Sequence, residues 1–162
     1  MKRISHNELL SVLKYNPRSG HFRWKSCAAL WVRTGTIAGK TNKNGYRAIK
    51  IAQVWYYEHR LAWFYMTGRW PRKQVDHVNR RKADNRWMNL RQADAVQNAQ
   101  NSTKRSNNKT GYKWVVRRRN RYFSQVKLGS KYRFLGPFDT AKEAHVAAAN
   151  LAKLKHGKFF RG

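Results

Sequence analysis

From Gln97 to Thr110 the chain reads QNAQNSTKRSNNKT, without one large apolar side chain. Such a stretch has nothing to bury, so it reads as a solvated helix end passing into a linker. The 162 residues are thereby split into two parts, each of which must close a small core from its own apolar residues. The expected organisation is a domain over residues 1–100, a linker over 101–110 and a second domain over 111–162. A hydrophobic content of 41%, with seven Trp, is enough to fill both cores, so disorder is not the expectation. We find no internal repeat.

Charge bounds the function. With 36 Lys and Arg against seven Asp and Glu, the formal charge is +29, and a compact body so charged repels itself unless a polyanion neutralises it. Nucleic acid is the first candidate. A membrane surface fits less well, because the cations are spread along the chain rather than set opposite one apolar face, and no apolar run reaches bilayer length. The N-terminal MKRISHNELL lacks an apolar core of signal-peptide length, so a cytoplasmic location is expected, in a host cell if the chain is phage-encoded. Cys27 stands alone, which rules out an internal disulfide and a multi-cysteine zinc site, so no structural zinc is expected.

The first hundred residues read as short alternating elements. Ser5 to Glu8 has capping-box spacing, with Leu9, Leu10 and Leu13 to follow on one helix face. Asn16 to Gly20 is a turn. Phe22 and Trp24 share one side of a strand, and Gly45 to Ile51 and Gln53 to Tyr57 read as a strand pair. Glu58 to Thr67 carries Leu61, Ala62, Phe64 and Tyr65 at helical spacing and ends at Gly68.

Three of the seven carboxylates, Asp76, Asp84 and Asp94, fall within residues 75–98. There Val75 to Val78 reads as a strand, Asn79 to Asn85 as a polar loop, Trp87 to Gln92 as a second strand, and Asp94 as the cap of a helix holding Asn98. This β-β-α pattern is expected to bring Asp76 and His77 towards Asn98. Phosphodiester hydrolysis needs a base to activate water and a divalent cation to neutralise charge on the phosphate and the departing oxygen. Magnesium prefers hard oxygen ligands and keeps several waters, so one carboxylate, one amide oxygen and a substrate phosphate suffice. A carboxylate beside DNA otherwise repels it.

Asp76-His77, followed by Asn85-Arg86, Asn89-Leu90-Arg91 and Asn98, resembles the HNH nuclease motif of phage and group I intron homing endonucleases. His59 to Trp63 and the aromatic strands before it are similar to the N-terminal region of that family. The resemblance implies a ββα-metal core over residues 73–101. In it His77 is the general base, Asp76 and Asn98 hold one Mg²⁺ that Mn²⁺ can replace, and Asn89 fixes the loop that orients the histidine. Other HNH nucleases brace this unit with cysteine-bound zinc; the tryptophans and tyrosines of the first fifty-odd residues are expected to serve instead.

After Gly111 come Tyr112 to Arg117, Tyr122 to Leu128 and Lys131 to Leu135 as strands, then a helix capped around Asp139 and Thr140 to Glu143, with Ala144, Ala147, Ala148 and Leu151 as its stripe. Gly111 to Lys113, Leu135 to Asp139, the Glu143-Ala helix and His156-Gly157 resemble an AP2-type DNA-binding domain. That implies a three-stranded antiparallel sheet packed on one helix, with its open face in the major groove. Period-two alternation places Lys113, Val115, Arg117, Arg121, Phe123, Gln125, Lys127, Tyr132 and Phe134 on the open face. Tyr112, Trp114, Tyr122, Ser124, Val126 and Leu135 take the packed face, with Arg133 there too, where an edge position would accommodate it. The cations are expected to seat the sheet on phosphates, and Gln125 and Arg117 to read base edges.

Together these readings describe an α+β chain that binds double-stranded DNA as a monomer and cuts it site-specifically. Asp84 and Asp94 are read as loop brace and helix cap, and His59 as either a packing residue or a phosphate contact. The rival reading is a non-catalytic, sequence-specific DNA-binding regulator that uses the β-β-α unit as a scaffold. Metal-dependent nicking of plasmid DNA separates the two.

Overall fold

The computed structural model describes residues 3–25, 32–101, 107–128 and 131–156. The fold is mixed α+β and divides into two compact units, Met1–Asp94 and Ala95–Gly162.

In the first unit the capping box forms. Ser5 Oγ accepts from the Glu8 N–H at 3.3 Å and Glu8 Oε2 accepts from the Ser5 N–H at 2.7 Å, which starts helix α1 (His6–Val12). Leu13, expected on this helix, is instead the first residue of β1 (Leu13–Tyr15), which pairs antiparallel with β2 (Phe22–Trp24). Its side chain is buried either way, because the apolar spacing is met by the strand as well as by the helix. Between the strands Asn16 Oδ1 accepts from the N–H groups of Arg18 and Ser19 at 2.9 and 3.1 Å, a side-chain-stabilised turn.

A second sheet runs β3 (Lys40–Thr41), β4 (Arg47–Ile51), β5 (Val54–Tyr57) and leads directly into α2 (Glu58–Thr67). Gly68 ends α2, its N–H meeting the Phe64 carbonyl at 2.9 Å. Leu61, Ala62 and Phe64 of α2 pack with Leu9, Phe22 and Ile49 in one core. Each large apolar side chain so buried contributes about 1.5–3 kcal/mol. The core reaches Val75 of β6 (Gln74–His77) and Leu90 of β7 (Leu90–Ala93), which pair antiparallel with Asp76 opposite Arg91 and His77 opposite Leu90. The second strand, expected from Trp87, begins only at Leu90. Trp87–Asn89 wind into a 3₁₀ turn, with the Asn89 N–H on the Arg86 carbonyl at 2.9 Å.

In the second unit α3 (Ala95–Asn101) is followed by β8 (Val115–Arg118), β9 (Arg121–Leu128), β10 (Lys131–Phe138) and α4 (Ala141–His156). The strand order is β10-β9-β8, all antiparallel. Ser124 Oγ donates to the Ala144 carbonyl of α4 at 2.6 Å, and Val126 packs on Ala148 and Ala152, so one sheet face is covered by the small-residue stripe of the helix.

Two expectations for this sheet are corrected. Tyr112 to Trp114 are not in a strand, because Trp114 adopts φ +64° and interrupts the alternation. Counting from Tyr112 therefore slips β8 by one residue. Val115 is opposite Ser124 and buried, and Arg117 is opposite Tyr122, so both take the helix-side parity. Val116 and Arg118 share the open face with Phe123, Gln125 and Lys127 instead. Arg133, opposite Val126, has the expected parity, and it is exposed on β10 at the sheet edge.

Candidate active site

Asp76 and His77 are the last two residues of β6, and only 7% and 4% of their surfaces are exposed. Burial of a charge requires a partner. Asp76 Oδ2 accepts from Arg91 Nε at 3.0 Å and Nη2 at 2.9 Å, across the strand pair. His77 Nε2 is hydrogen-bonded to Asn85 Oδ1 at 2.9 Å, and Asn85 Nδ2 donates to Glu58 Oε2 at 3.1 Å. Glu58 is fully buried at the start of α2, and both its oxygens accept from Arg47 Nε at 3.0 Å. Arg47 Nη2 in turn donates to the Ala38 carbonyl at 2.8 Å. Gly39 makes room for the carboxylate: at φ +80°, a Cβ there would be 2.4 Å from Glu58 Oε1.

A shell of rings surrounds His77. His59 meets it edge-on at 5.1 Å between centroids, and Tyr46 lies 5.3 Å from His59 and 6.0 Å from His77. Burial lowers the proton affinity of His77, opposed by its bond to Asn85 and by the charges of Asp76 and Asp84. Burial, with His77 and Arg60 nearby, pushes His59 down to about 3. His59 is a buried packing residue whose Nδ1 has no hydrogen-bond partner among the described residues.

The loop between β6 and β7 is stitched by amides. Asn89 Nδ2 donates to the Asp84 carbonyl at 2.7 Å, and its Oδ1 accepts from the Asn79 N–H at 2.9 Å. Asn79 Nδ2 donates to Asp84 Oδ2 at 2.6 Å, while Arg86 donates to both Asp84 oxygens at 2.8 and 2.6 Å. These bonds, the Arg86 ones first, hold the Asp84 carboxyl down at about 2. Asn89 thus acts on the loop's shape.

The N-terminal hairpin clasps the same loop from outside it. Tyr15 Oη donates to the Asn85 carbonyl at 2.6 Å, and the Trp87 N–H donates to the Pro17 carbonyl at 3.0 Å. Gly20, at φ +77°, lies so close that a Cβ would be 2.4 Å from the Arg86 nitrogen.

The structure therefore gathers Asp76, His77, Asp84, Asn85 and Asn89. Asn98 is an exposed residue of α3, which is described with the second unit. Glu58 and Arg47 were not singled out from the sequence. The scarcity argument that marked residues 75–98 would have found Glu58, a lone carboxylate set between aromatic residues. Among the described residues no group of three or more His, Cys, Asp or Glu is placed to hold a metal ion. None of their helices is long and apolar enough to cross a membrane.

On the open face of the second unit's sheet, Arg118 lies over the rings of Phe123 at 5.9 Å and Phe134 at 5.1 Å, and Lys127 lies over Tyr132 at 5.8 Å. Tyr132 and Phe134 are 54% and 46% exposed. Gln125 is half-buried between these pairs, opposite Phe134. Arg121 forms an exposed ion pair with Asp139, and Lys113 lies over Trp114 at 4.2 Å.

Residues 56–100 match the family model of HNH endonucleases. The matched span runs from β5 through α2, β6, the stitched loop and β7 into α3, and includes Asp76, His77, Asn85, Asn89 and Asn98. It supports a nuclease activity on DNA, and HNH nucleases generally use a divalent metal. Comparison with curated proteins and with solved structures gave no match.

Proposed function

We propose that this chain is a site-specific DNA endonuclease of the homing type, in which His77 is the general base and one divalent metal assists. The observation that carries the reading is the buried Asp76-His77 pair, fixed by Arg91 and Asn85 inside the segment that matches HNH endonucleases. A histidine held below its usual proton affinity is neutral at pH 7 and can take a proton from water as that water attacks phosphorus. The bond to the 3′ oxygen breaks, leaving 5′-phosphate and 3′-hydroxyl ends.

The donor chemistry at Asp76 suits Mg²⁺ or Mn²⁺, since a carboxylate is the hard oxygen donor that such a cation prefers. Asp76 and Asn98 are the proposed protein ligands, and Asn89 keeps the loop in shape behind His77. When bound, the cation neutralises charge on the scissile phosphate and the departing oxygen.

The second unit is proposed to act as an AP2-like module that holds a long site in duplex DNA. Arg118, Lys127, Arg121 and Lys113 would seat the sheet on phosphates, with Phe123, Tyr132 and Phe134 flanking. Gln125 reads base edges, whereas Arg117, first expected to share that role, has helix-side parity and is not assigned it. The protein is proposed to work as a monomer in the cytoplasm of the cell that makes it, cutting one or both strands, with nicking the simpler case for a single HNH unit.

The test is cleavage of supercoiled plasmid carrying the target, with Mg²⁺. His77→Ala is expected to slow cutting by roughly 10²–10⁴-fold while DNA affinity persists. If that variant cuts as fast as the parent, the reading falls.

A further inference from the structure

Arg47, Glu58, Asn85 and His77 form one buried chain of hydrogen bonds, and the chain has a direction. A guanidinium only donates and a carboxylate only accepts. With Arg47 Nε on both its oxygens, Glu58 is fixed as an ionised acceptor, although burial raises its proton affinity. The group of Asn85 that meets Glu58 must then be its NH₂, and the group left facing His77 must be its carbonyl oxygen. Reversing the amide would set oxygen against carboxylate in a site closed to water, since Glu58 and Asn85 are 0% and 1% exposed.

An acceptor facing His77 Nε2 requires a proton on that nitrogen. The lone pair is then on Nδ1.

We infer that Glu58, anchored by Arg47, is a positioning residue that sets the tautomer of His77 through Asn85, so that Nδ1 is the nitrogen that receives the proton from water. This rests on the reading of His77 as the base. It adds that the base is specified by a carboxylate on a different element of the fold, reached through a single intervening amide. The main chain of Asn85 is pinned as well, by Tyr15 Oη at 2.6 Å and by the close approach of Gly20, so the amide has little freedom except to rotate about its own side chain. Glu58 removes that freedom.

The test uses the full-length chain labelled with ¹⁵N-histidine, read by long-range ¹H–¹⁵N correlation at neutral pH, beside steady-state cleavage with Mg²⁺. The parent is expected to hold His77 as the Nε2–H form; an Nδ1–H form overturns the inference outright. Glu58→Gln lets the Asn85 amide turn over, because glutamine both donates and accepts. An Nδ1–H population should then appear, with kcat falling roughly 10–100-fold and KM for the plasmid changing by less than about twofold. A folded Glu58→Gln protein with the parent's tautomer and kcat overturns it.

Combining Glu58→Gln with Asn85→Asp restores the direction, since the introduced glutamine amide can donate to a carboxylate that in turn faces His77 as an acceptor. This pair should recover the Nε2–H form and most of kcat. Should Glu58→Gln alone fail to fold, the double variant decides: a folded double variant with Nδ1–H on His77 overturns the inference. The ¹⁵N spectra do not depend on cleavage, so active His77→Ala would sink the nuclease reading and leave the tautomer result to be judged separately.

Discussion

The segment from β6 to β7 and the sheet β8 to β10 handle charge in opposite ways. Around β6 the scarce carboxylates are each met by an arginine: Asp76 by Arg91, Asp84 by Arg86, Glu58 by Arg47. The two imidazoles there are buried among rings. On the sheet of the second unit, cations lie over exposed aromatic rings, and the ion pair Arg121–Asp139 is open to solvent. Charges removed from water must be paired or neutral, whereas charges left in water keep most of their freedom to meet a phosphate. The first arrangement fixes geometry, and under the proposed function the second offers affinity for phosphate.

The contrast is broken most sharply by deleting one arginine in each region. Arg47→Ala strands a buried carboxylate and is expected to destabilise the first unit by about 3–5 kcal/mol in urea or thermal unfolding. Arg121→Ala removes an exposed partner and should change stability by no more than about 1 kcal/mol. Equal losses would mean that the two ion pairs do not differ as their burial says.

Next in size is the response to acid. The folded-state pKa of His59 lies below its unfolded value, so the unfolded chain takes the extra proton. The stability due to neutral His59 is complete above about pH 6.5 and drains away as pH falls towards about 3. Replacing His59 with Phe should flatten stability against pH over that window, by an amount on the order of a few kcal/mol. A variant with the parent's acid profile would show that His59 is not held neutral by burial.

The smallest effect separates the two faces of one strand. Arg118→Ala should lower the dependence of log affinity on log salt by about 1 for duplex DNA, and Arg117→Ala should leave it nearly unchanged. The reverse outcome would restore the register expected from simple alternation.

Local signals were readable in the sequence where a single element decides the outcome. The Ser5 to Glu8 box, the Gly68 stop and the Thr140 to Glu143 box each form as their spacing requires. Alternation failed where one backbone angle intervened: Trp114, at φ +64°, moved Val115 and Arg117 to the other side. The strand expected from Trp87 starts late for a related reason, because Trp87–Asn89 wind into a turn whose bonds are to the carbonyls of Arg86 and Pro17. At the site, Asp76 and His77 stood out because carboxylates are rare in this chain. Glu58 carries the same mark of scarcity, but its role was hidden because its partners Arg47 and Asn85 are 11 and 27 residues away and no local pattern joins them.

The clasp of the N-terminal hairpin on the loop behind His77 links residues 70 apart, Tyr15 with Asn85. Closing so long a stretch of chain is slow compared with forming a helix or a hairpin, and its entropy must be spent before its contacts give any return. The loop behind His77 is therefore expected to be among the last features of its unit to set, and stopped-flow refolding should show the Tyr15 contact forming after the helices.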